Sequence, residues 1–286
     1  MDATDAEKQK IAITQMTQQE VYTAVNWARQ EGWNPGIHDA ESFYHADPKG
    51  FYAAKINNEI VGTLSIVKYT KDYAFVGFLI VRPDMRGKGI GTTLFNFLEE
   101  SCKSFNAGLD GVLGMQTKYE LLGFRLAHKN YRYSGVANGK LSNLCMPISK
   151  KDFNKIVAYD AKCFSTTRLE FLSYWLFQKD GHSFMVQNKD TDEICGYGVI
   201  RKCFKGHKIG PLFAGTQEIA TAILESLMST VNGEAVFLDV PEPNRSAVEL
   251  AQRYGMQPVF ATVRMYTRLL QLPLENIYGL TSFELG

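Results

Sequence analysis

The sequence predicts an α/β (α+β) protein of two domains, built from mixed sheets with helices on both faces. Three observations predict it. The chain has 286 residues, enough for about two domains. Helical and β-prone stretches follow one another in a mixed order, not in a strict strand–helix repeat. A strand ending in Leu-Asp, followed by a short helix closed by Gly and an apolar residue, occurs twice. It appears as Leu109-Asp110 with Gly123-Phe124, and again as Leu238-Asp239 with Gly255-Met256. The repetition reads as an internal duplication or as a chance match between two α+β domains. A boundary near Met146-Pro147 divides the chain into domains 1–147 and 148–286.

Residues before Lys10 are polar, are expected to fray, and do not have the pattern of a signal peptide. Thr17 and Glu20 form a capping box, and Val21, Ala24, Val25 and Ala28 then recur on one helical face. That helix ends near Glu31-Gly32, and Trp33-Asn-Pro-Gly36 reads as a turn before a short helix over 39–44. Residues 51–56 and 60–68 read as strands joined by the hairpin turn Asn57-Asn58. A strand over 73–81 follows, then a glycine-rich turn. Leu94, Phe95, Leu98 and Cys102 mark the next helix. Residues 108–114 make a short strand, 117–122 a short helix closed by Gly123, and Phe124 opens another strand.

The second half runs through a weaker version of this plan. Ser149 and Asp152 cap a helix reaching Cys163, and another helix covers 167–177. Strands are expected at 183–187, 194–201 and 235–240, helices at 216–231 and 246–254, and a final strand at 261–267.

Composition narrows the function. Hydrophobic content is 45% and the net charge +1, so no global basic field favours nucleic acid. No apolar run is long enough to span a membrane. The five cysteines, Cys102, Cys145, Cys163, Cys195 and Cys203, form no Cys-x-x-Cys pair, and no histidine stands at zinc spacing to them. They read as reduced thiols of a cytoplasmic protein without a metal site.

The chemistry concentrates in Phe78-Leu-Ile-Val-Arg-Pro-Asp-Met-Arg-Gly-Lys-Gly-Ile-Gly91. An apolar strand stops at Arg82-Pro83, glycines follow at Gly87, Gly89 and Gly91, and a helix begins. A helix N-terminus offers free N–H groups and partial positive charge, and glycines let an anion approach the backbone. Arg82, Arg86 and Lys88 add local charge. A nucleotide P-loop needs Gly-Lys before Ser or Thr, and here Lys88 precedes Gly89. A dinucleotide fingerprint needs Gly-x-Gly-x-x-Gly, which these alternating glycines do not make. A plain tight turn is the bland alternative.

The pattern Arg-x-x-Gly-x-Gly from Arg86 to Gly91, with Val81-x-Pro83 upstream, resembles the pyrophosphate loop of the GNAT acyl-CoA N-acyltransferases. Glu31-Gly-Trp-Asn-Pro-Gly36, Tyr119-Glu-Leu-Leu-Gly-Phe124 and Ile209-Gly-Pro-Leu-Phe-Ala214 extend the likeness to the tandem-GNAT subgroup. That subgroup pairs an intact N-terminal domain with a degenerate C-terminal one. The resemblance implies two tandem GNAT-like domains, each a mixed, mostly antiparallel sheet whose central strand pair splays apart. It implies an acetyl-CoA-dependent N-acetyltransferase in which a primary amine attacks the thioester directly. The backbone of Leu79, Ile80 and Val81 would take the pantetheine arm. The loop Arg86, Gly87, Lys88, Gly89, Ile90, Gly91 and Thr92 would take the pyrophosphate. Tyr119 would protonate the leaving CoA thiolate; read by itself, it is also an ordinary half-buried aromatic.

Two departures stand out. The strand over 73–81 lacks the carboxylate that many family members use as base, which leaves Glu31 and Asp39, beside the Trp33 turn, as acceptor-side candidates. Both also read as helix-end or capping carboxylates, and Trp33 as a pocket wall or a staple for its turn. The second half lacks the loop, and Ala251 replaces the tyrosine, so it is expected to complete the acceptor pocket or brace the first sheet. Arg168 and Asp239 read there as ion pairs or caps more readily than as cleft groups. The alternative function is a non-catalytic acyl-CoA-binding sensor or regulatory pseudoenzyme. Near-neutral charge sets no bias among small-molecule or peptide amines, and the edge strands leave the oligomeric state open.

Overall fold

The structure, a computed structural model, describes residues 10–286; the fraying expected before Lys10 lies outside the described residues. The first stretch of chain forms β1 (Ala12–Gln15), α1 (Gln18–Gln30), α2 (Asp39–Ala46), β2 (Phe51–Ile56), β3 (Glu59–Lys68), β4 (Tyr73–Val81), α3 (Ile90–Ser101), β5 (Asn106–Val112), α4 (Gln116–Leu121), β6 (Arg125–Val136) and β7 (Cys145–Pro147). The second forms α5 (Phe153–Phe164), α6 (Leu169–Trp175), β8 (Gly181–Gln187), β9 (Ile194–Lys202), β10 (His207–Ala214), α7 (Gln217–Ser229), β11 (Ala235–Pro241), α8 (Arg245–Arg253), β12 (Gln257–Tyr266) and β13 (Ile277–Gly279).

Local chemistry sets most of these boundaries. Both hydrogen bonds of the Thr17/Glu20 capping box are made, and α1 buries Val21, Ala24, Val25 and Ala28 as its periodicity predicts. The Ser149/Asp152 box is also made, one turn before α5. Asn57 and Asn58 both take positive φ, which closes the β2–β3 hairpin in the sense that matches strand twist.

The strands form one mixed sheet, antiparallel among the described pairs except for β4–β5 and β10–β11. The two halves do not keep separate sheets. The order is β1-β2-β3-β4-β5-β12-β6-β11-β10-β9-β8-β7, with β13 on β10. Strand β12 of the second half lies between β5 and β6, and β6 of the first lies between β12 and β11. Each half thus gives its late long strand to the other.

The repeated Leu-Asp signature explains the exchange. Asp110 on β5 holds Arg264 of β12, and Asp239 on β11 holds Arg132 of β6, each with two hydrogen bonds of 2.6–2.8 Å. The same Asp in each copy fixes the strand arriving from the other copy. These side chains are almost fully buried, so the charges need one another. Arg168 likewise pairs with Asp160 in the interior.

A shared core lies between the halves, where Phe43 of α2 stacks on Trp175 of α6 at 5.9 Å. Helices α3 and α4 cover the other face of the sheet's first half, and α7 and α8 that of its second.

Two expectations are corrected. The strand expected at 261–267 starts earlier, at Gln257, because pairing with β6 extends it through a bulge beside Pro258. It is also not the last strand. Residues 277–286 are buried throughout, and β13 fills the space opening between β10 and β11, which pair only over 207–209 and 236–238. Leu280 N–H donates to the Asp239 carbonyl on the β11 side. Gly210 permits this approach, since a Cβ there would stand 2.4 Å from the Leu280 carbonyl oxygen.

The junction also carries an acid-sensitive group. His128 on β6 lies opposite Arg264, and its Nε2 is buried without a partner. Burial, and then Arg264, lower its pKa to about 3. A depressed pKa gives stability that is present above the unfolded value of about 6.5 and is lost as pH falls toward the folded one. Replacing His128 by Gln is expected to reduce the stability lost between pH 7 and pH 4 by about 2–3 kcal/mol. Urea unfolding at the two pH values checks this, and an unchanged difference would refute it.

Candidate active site

A cleft of about 380 Å3 opens where β4 and β5 part company. These strands pair in parallel only from Tyr73↔Asn106 to Val76↔Leu109. Beyond that point β4 bends at Phe78, whose φ of 49° is rare for a bulky residue, and the register with β3 slips between Thr63 and Ser65. Thr63 Oγ1 donates to the Phe78 carbonyl at 2.7 Å and holds this bend. Arg82 N–H is used by Val61 on β3. Backbone alternation then turns the N–H groups of Val81 and Leu79 toward the open side and that of Ile80 toward β3. The Ile80 side chain still lines the cleft. Its expected part as a backbone donor is therefore corrected: Leu79 and Val81 are the exposed pair.

The glycine loop closes one end. Gly87 and Gly89 take φ of 78° and 85°, the left-handed region where glycine is unstrained, and a Cβ at either would meet open space. Gly89 precedes the first turn of α3 and no side chain caps that turn, so the N–H groups of Ile90, Gly91 and Thr92 lack a helical partner. Lys88 and Thr92 are exposed beside them, and the Ile90 side chain is buried in the core. Arg82 does not add free charge here: it is bound to Asp84 and Glu59. Arg86 folds back over the cleft, donating to the Val81 carbonyl at 3.1 Å and to Glu31.

Tyr119, from α4, lines the cleft with 8% of its surface exposed. Burial pushes its phenol up to about 12. Gly111 leaves room for the ring, since a Cβ there would stand 2.8 Å from Tyr119 Cε2.

Of the acceptor-side candidates, Glu31 and Trp33 line the cleft and Asp39 does not. Asp39 is corrected to a structural residue. It is fully buried, accepts from Gly36 N–H at 2.7 Å, and is held by Arg201 of β9. Glu31 is the charge partner of Arg86. Trp33 lines the cleft, and its backbone carbonyl accepts from Arg132 of β6 and Lys208 of β10. Burial lowers the Lys208 pKa.

The remaining wall was not anticipated. Phe260 and Thr262 arrive on the exchanged strand β12, and Phe283 and Glu284 on the segment after β13. Glu284 is 2% exposed, and neither carboxylate oxygen has a hydrogen-bond partner within the protein. One signal existed in the sequence: Glu284 is the lone charged residue in Ile277-Tyr-Gly-Leu-Thr-Ser-Phe-Glu-Leu-Gly286.

The bent strand, the glycine loop at a helix start and the duplicated plan direct comparison to known families. Residues 18–123 match the Acetyltransferase (GNAT) family, and residues 156–279 match the Acetyltransferase (GNAT) domain. The chain is a tandem GNAT protein. It is 29% identical over 264 residues to holothin acyltransferase of Pseudoalteromonas sp., covering 91% of this chain and 89% of that one. A candidate acetyltransferase from Pyrococcus horikoshii shares the fold of this tandem GNAT protein at a TM-score of 0.80. The identity is 21%, over 100% of this chain and 99% of that one. A tandem GNAT protein from the clavulanic acid biosynthesis pathway superposes at 0.62, with 12% identity over 92% and 100% of the two chains. The family is one of acyltransferases. No helix among the described residues is long and apolar enough to cross a membrane, and no cluster of metal-ligating side chains occurs among them.

Proposed function

We propose that this tandem GNAT protein is an acetyl-CoA-dependent N-acetyltransferase that joins the acetyl group to a primary amine by direct attack in a ternary complex. The observation that carries the reading is the alignment along one cleft of an open β4 edge, an uncapped helix start with two left-handed glycines, and a protonated phenol. Arg86, Lys88 and the N–H groups from Gly87 to Thr92 suit a pyrophosphate, and Leu79 and Val81 suit the amides of a pantetheine arm. Coenzyme A supplies the activated thioester. The Val81 N–H is placed to polarise the thioester carbonyl as negative charge develops on its oxygen. Tyr119 gives its proton to the sulfur as the C–S bond breaks, and its raised pKa keeps that proton in place throughout the neutral range.

The second half has no counterpart site. In the corresponding gap between β10 and β11 lies β13, and Ala251 stands in place of the tyrosine. We assign it the task of completing the acceptor end. The five free thiols accord with a reducing, cytoplasmic setting.

The test is Tyr119→Phe, assayed by thiol release with acetyl-CoA and a panel of primary amines. The expected result is a kcat lower by about 10²–10⁴-fold, with acetyl-CoA affinity held at the wild-type level by titration calorimetry. Wild type that binds acetyl-CoA and releases no thiol with any amine would instead support the sensor reading. Wild type that binds no acetyl-CoA would sink both.

A further inference from the structure

We propose that Glu284 is the carboxylate that binds and deprotonates the acceptor, and that the acceptor is a small primary ammonium with an apolar body. This inference rests on the acetyltransfer reading above. It begins from a polar chamber at the acceptor end of the cleft. Glu284 and Thr262 line the cleft; both Glu284 carboxylate oxygens and Thr262 Oγ1 are buried, and none has a hydrogen-bond partner within the protein. Buried polar groups almost always have partners, and three that lack one beside the same cleft call for a partner that enters it. An ionised carboxylate only accepts hydrogen bonds, so the ligand that completes this chamber must donate them. An ammonium carries three N–H donors and the opposite charge.

The placement is directed at the reacting strand. Gly77 of β4 has no side chain, and the Glu284 backbone occupies the space: a Cβ at Gly77 would stand 2.2 Å from the Glu284 carbonyl oxygen. Strand β4 carries no carboxylate of its own, and the segment after β13 brings one to it. The segment is fixed along its length. Arg168 donates to Thr281 Oγ1, Leu285 N–H donates to Ser282 Oγ, and Tyr69 donates to the Leu285 carbonyl.

The charged groups facing Glu284 are Arg132 of β6, Arg201 of β9 and Lys208 of β10. The two arginines are held by Asp239 and Asp39, and Lys208 reaches only the Trp33 carbonyl, at 3.4 Å. None forms an ion pair with Glu284. Trp33, Phe260 and Phe283 give the chamber apolar walls, which suit an alkyl or aromatic body and disfavour an anionic one.

Glu284 takes one proton from the ammonium and passes it to solvent. The free amine attacks the thioester carbon and forms the C–N bond of a tetrahedral intermediate; the C–S bond then breaks, and Tyr119 protonates the sulfur. The second amine proton, acidified in the tetrahedral intermediate, restores Tyr119 through solvent. One thiol, one amide and one proton result.

The test compares full-length wild type, Glu284→Gln and Glu284→Asp with benzylamine, an ammonium at pH 7, and with aniline, already neutral there. Acetyl-CoA binding by calorimetry is expected to be unchanged in both variants. Glu284→Gln is expected to lose about 10²–10³-fold in kcat/KM for benzylamine at pH 7 and less than about threefold for aniline. Its benzylamine rate should rise roughly tenfold per pH unit from pH 7 to 9, following the free amine, where wild type stays level. Glu284→Asp should recover part of the loss. Glu284→Gln within threefold of wild type on benzylamine would overturn the inference, as would equal loss on both amines, which marks a structural role. A variant that no longer binds acetyl-CoA passes the decision to the wild-type profile: a benzylamine rate tracking free amine from pH 7 to 9 overturns the inference, and a level rate upholds it. Wild type that acetylates other amines of the panel above but neither of these two overturns this inference alone; wild type that binds acetyl-CoA and acetylates no amine of that panel overturns the transfer reading itself, and this inference with it.

Discussion

Asp239→Asn is expected to lower the unfolding free energy by about 3–5 kcal/mol, the cost of leaving a buried guanidinium without its counter-charge. Arg132 cannot reach water to compensate, because its side chain is 4% exposed. The consequences extend beyond one contact. Arg132 also donates to the Trp33 carbonyl and stands over the rings of Phe283 and Phe260, at 4.9 and 5.8 Å. The pair therefore fastens the exchanged strand β6 to β11 and fixes three walls of the cleft. Thermal unfolding followed by circular dichroism should show a fall of about 5–15 °C. Replacing both partners, as Arg132→Met with Asp239→Leu, should restore most of the stability, since two apolar side chains leave no orphaned charge. It should not restore the position of Trp33, so activity should stay low. A melting temperature for Asp239→Asn within a degree of wild type would show that the exchanged strands are held by packing alone.

Gly89→Val is expected to weaken acetyl-CoA binding by about 100-fold or more, the loss of two charge-assisted hydrogen bonds at ~1.5 kcal/mol each. At φ 85° a β-branched residue is strained by about 1–3 kcal/mol, so the loop must rearrange and its N–H groups cease to converge. The loop is exposed and packs little against the core, so the fold should survive, with a melting temperature close to wild type. Titration calorimetry with acetyl-CoA reads the effect directly. Unchanged affinity in a folded Gly89→Val protein would place the pyrophosphate elsewhere.

Much of the cleft was legible because its parts are local in sequence. A helix start, an adjoining strand end and the glycines between them form one stretch from Phe78 to Gly91, and their spacing states the geometry. The caps at Thr17 and Ser149 and the Asn57-Asn58 turn were legible for the same reason: each involves residues within three positions of one another. Asp39 shows where such reading stops. Its place at a helix start was clear, yet Arg201, 162 positions away, decides that it is buried and bound. Glu31 stayed near the site, but its partner Arg86 lies 55 positions on.

The sequence by itself determined the fold class, the duplicated plan, the phosphate-type loop and the placing of Tyr119 on a short helix after the second parallel strand. Those features follow from periodicity, capping and turn chemistry, which act between near neighbours. Only the tertiary structure decided that β6 and β12 change places, that β13 fills the gap in the second half, and that Phe260, Thr262, Phe283 and Glu284 wall the cleft. The Leu-Asp repeat was visible, but not that each Asp holds an Arg brought by the other copy, 107 and 154 positions away. Strand pairing has a period of two and no preferred sequence separation, so an apolar strand carries no mark of which sheet will accept it. Burial of the paired charges chooses the partner, and that choice brings the second half to the active site.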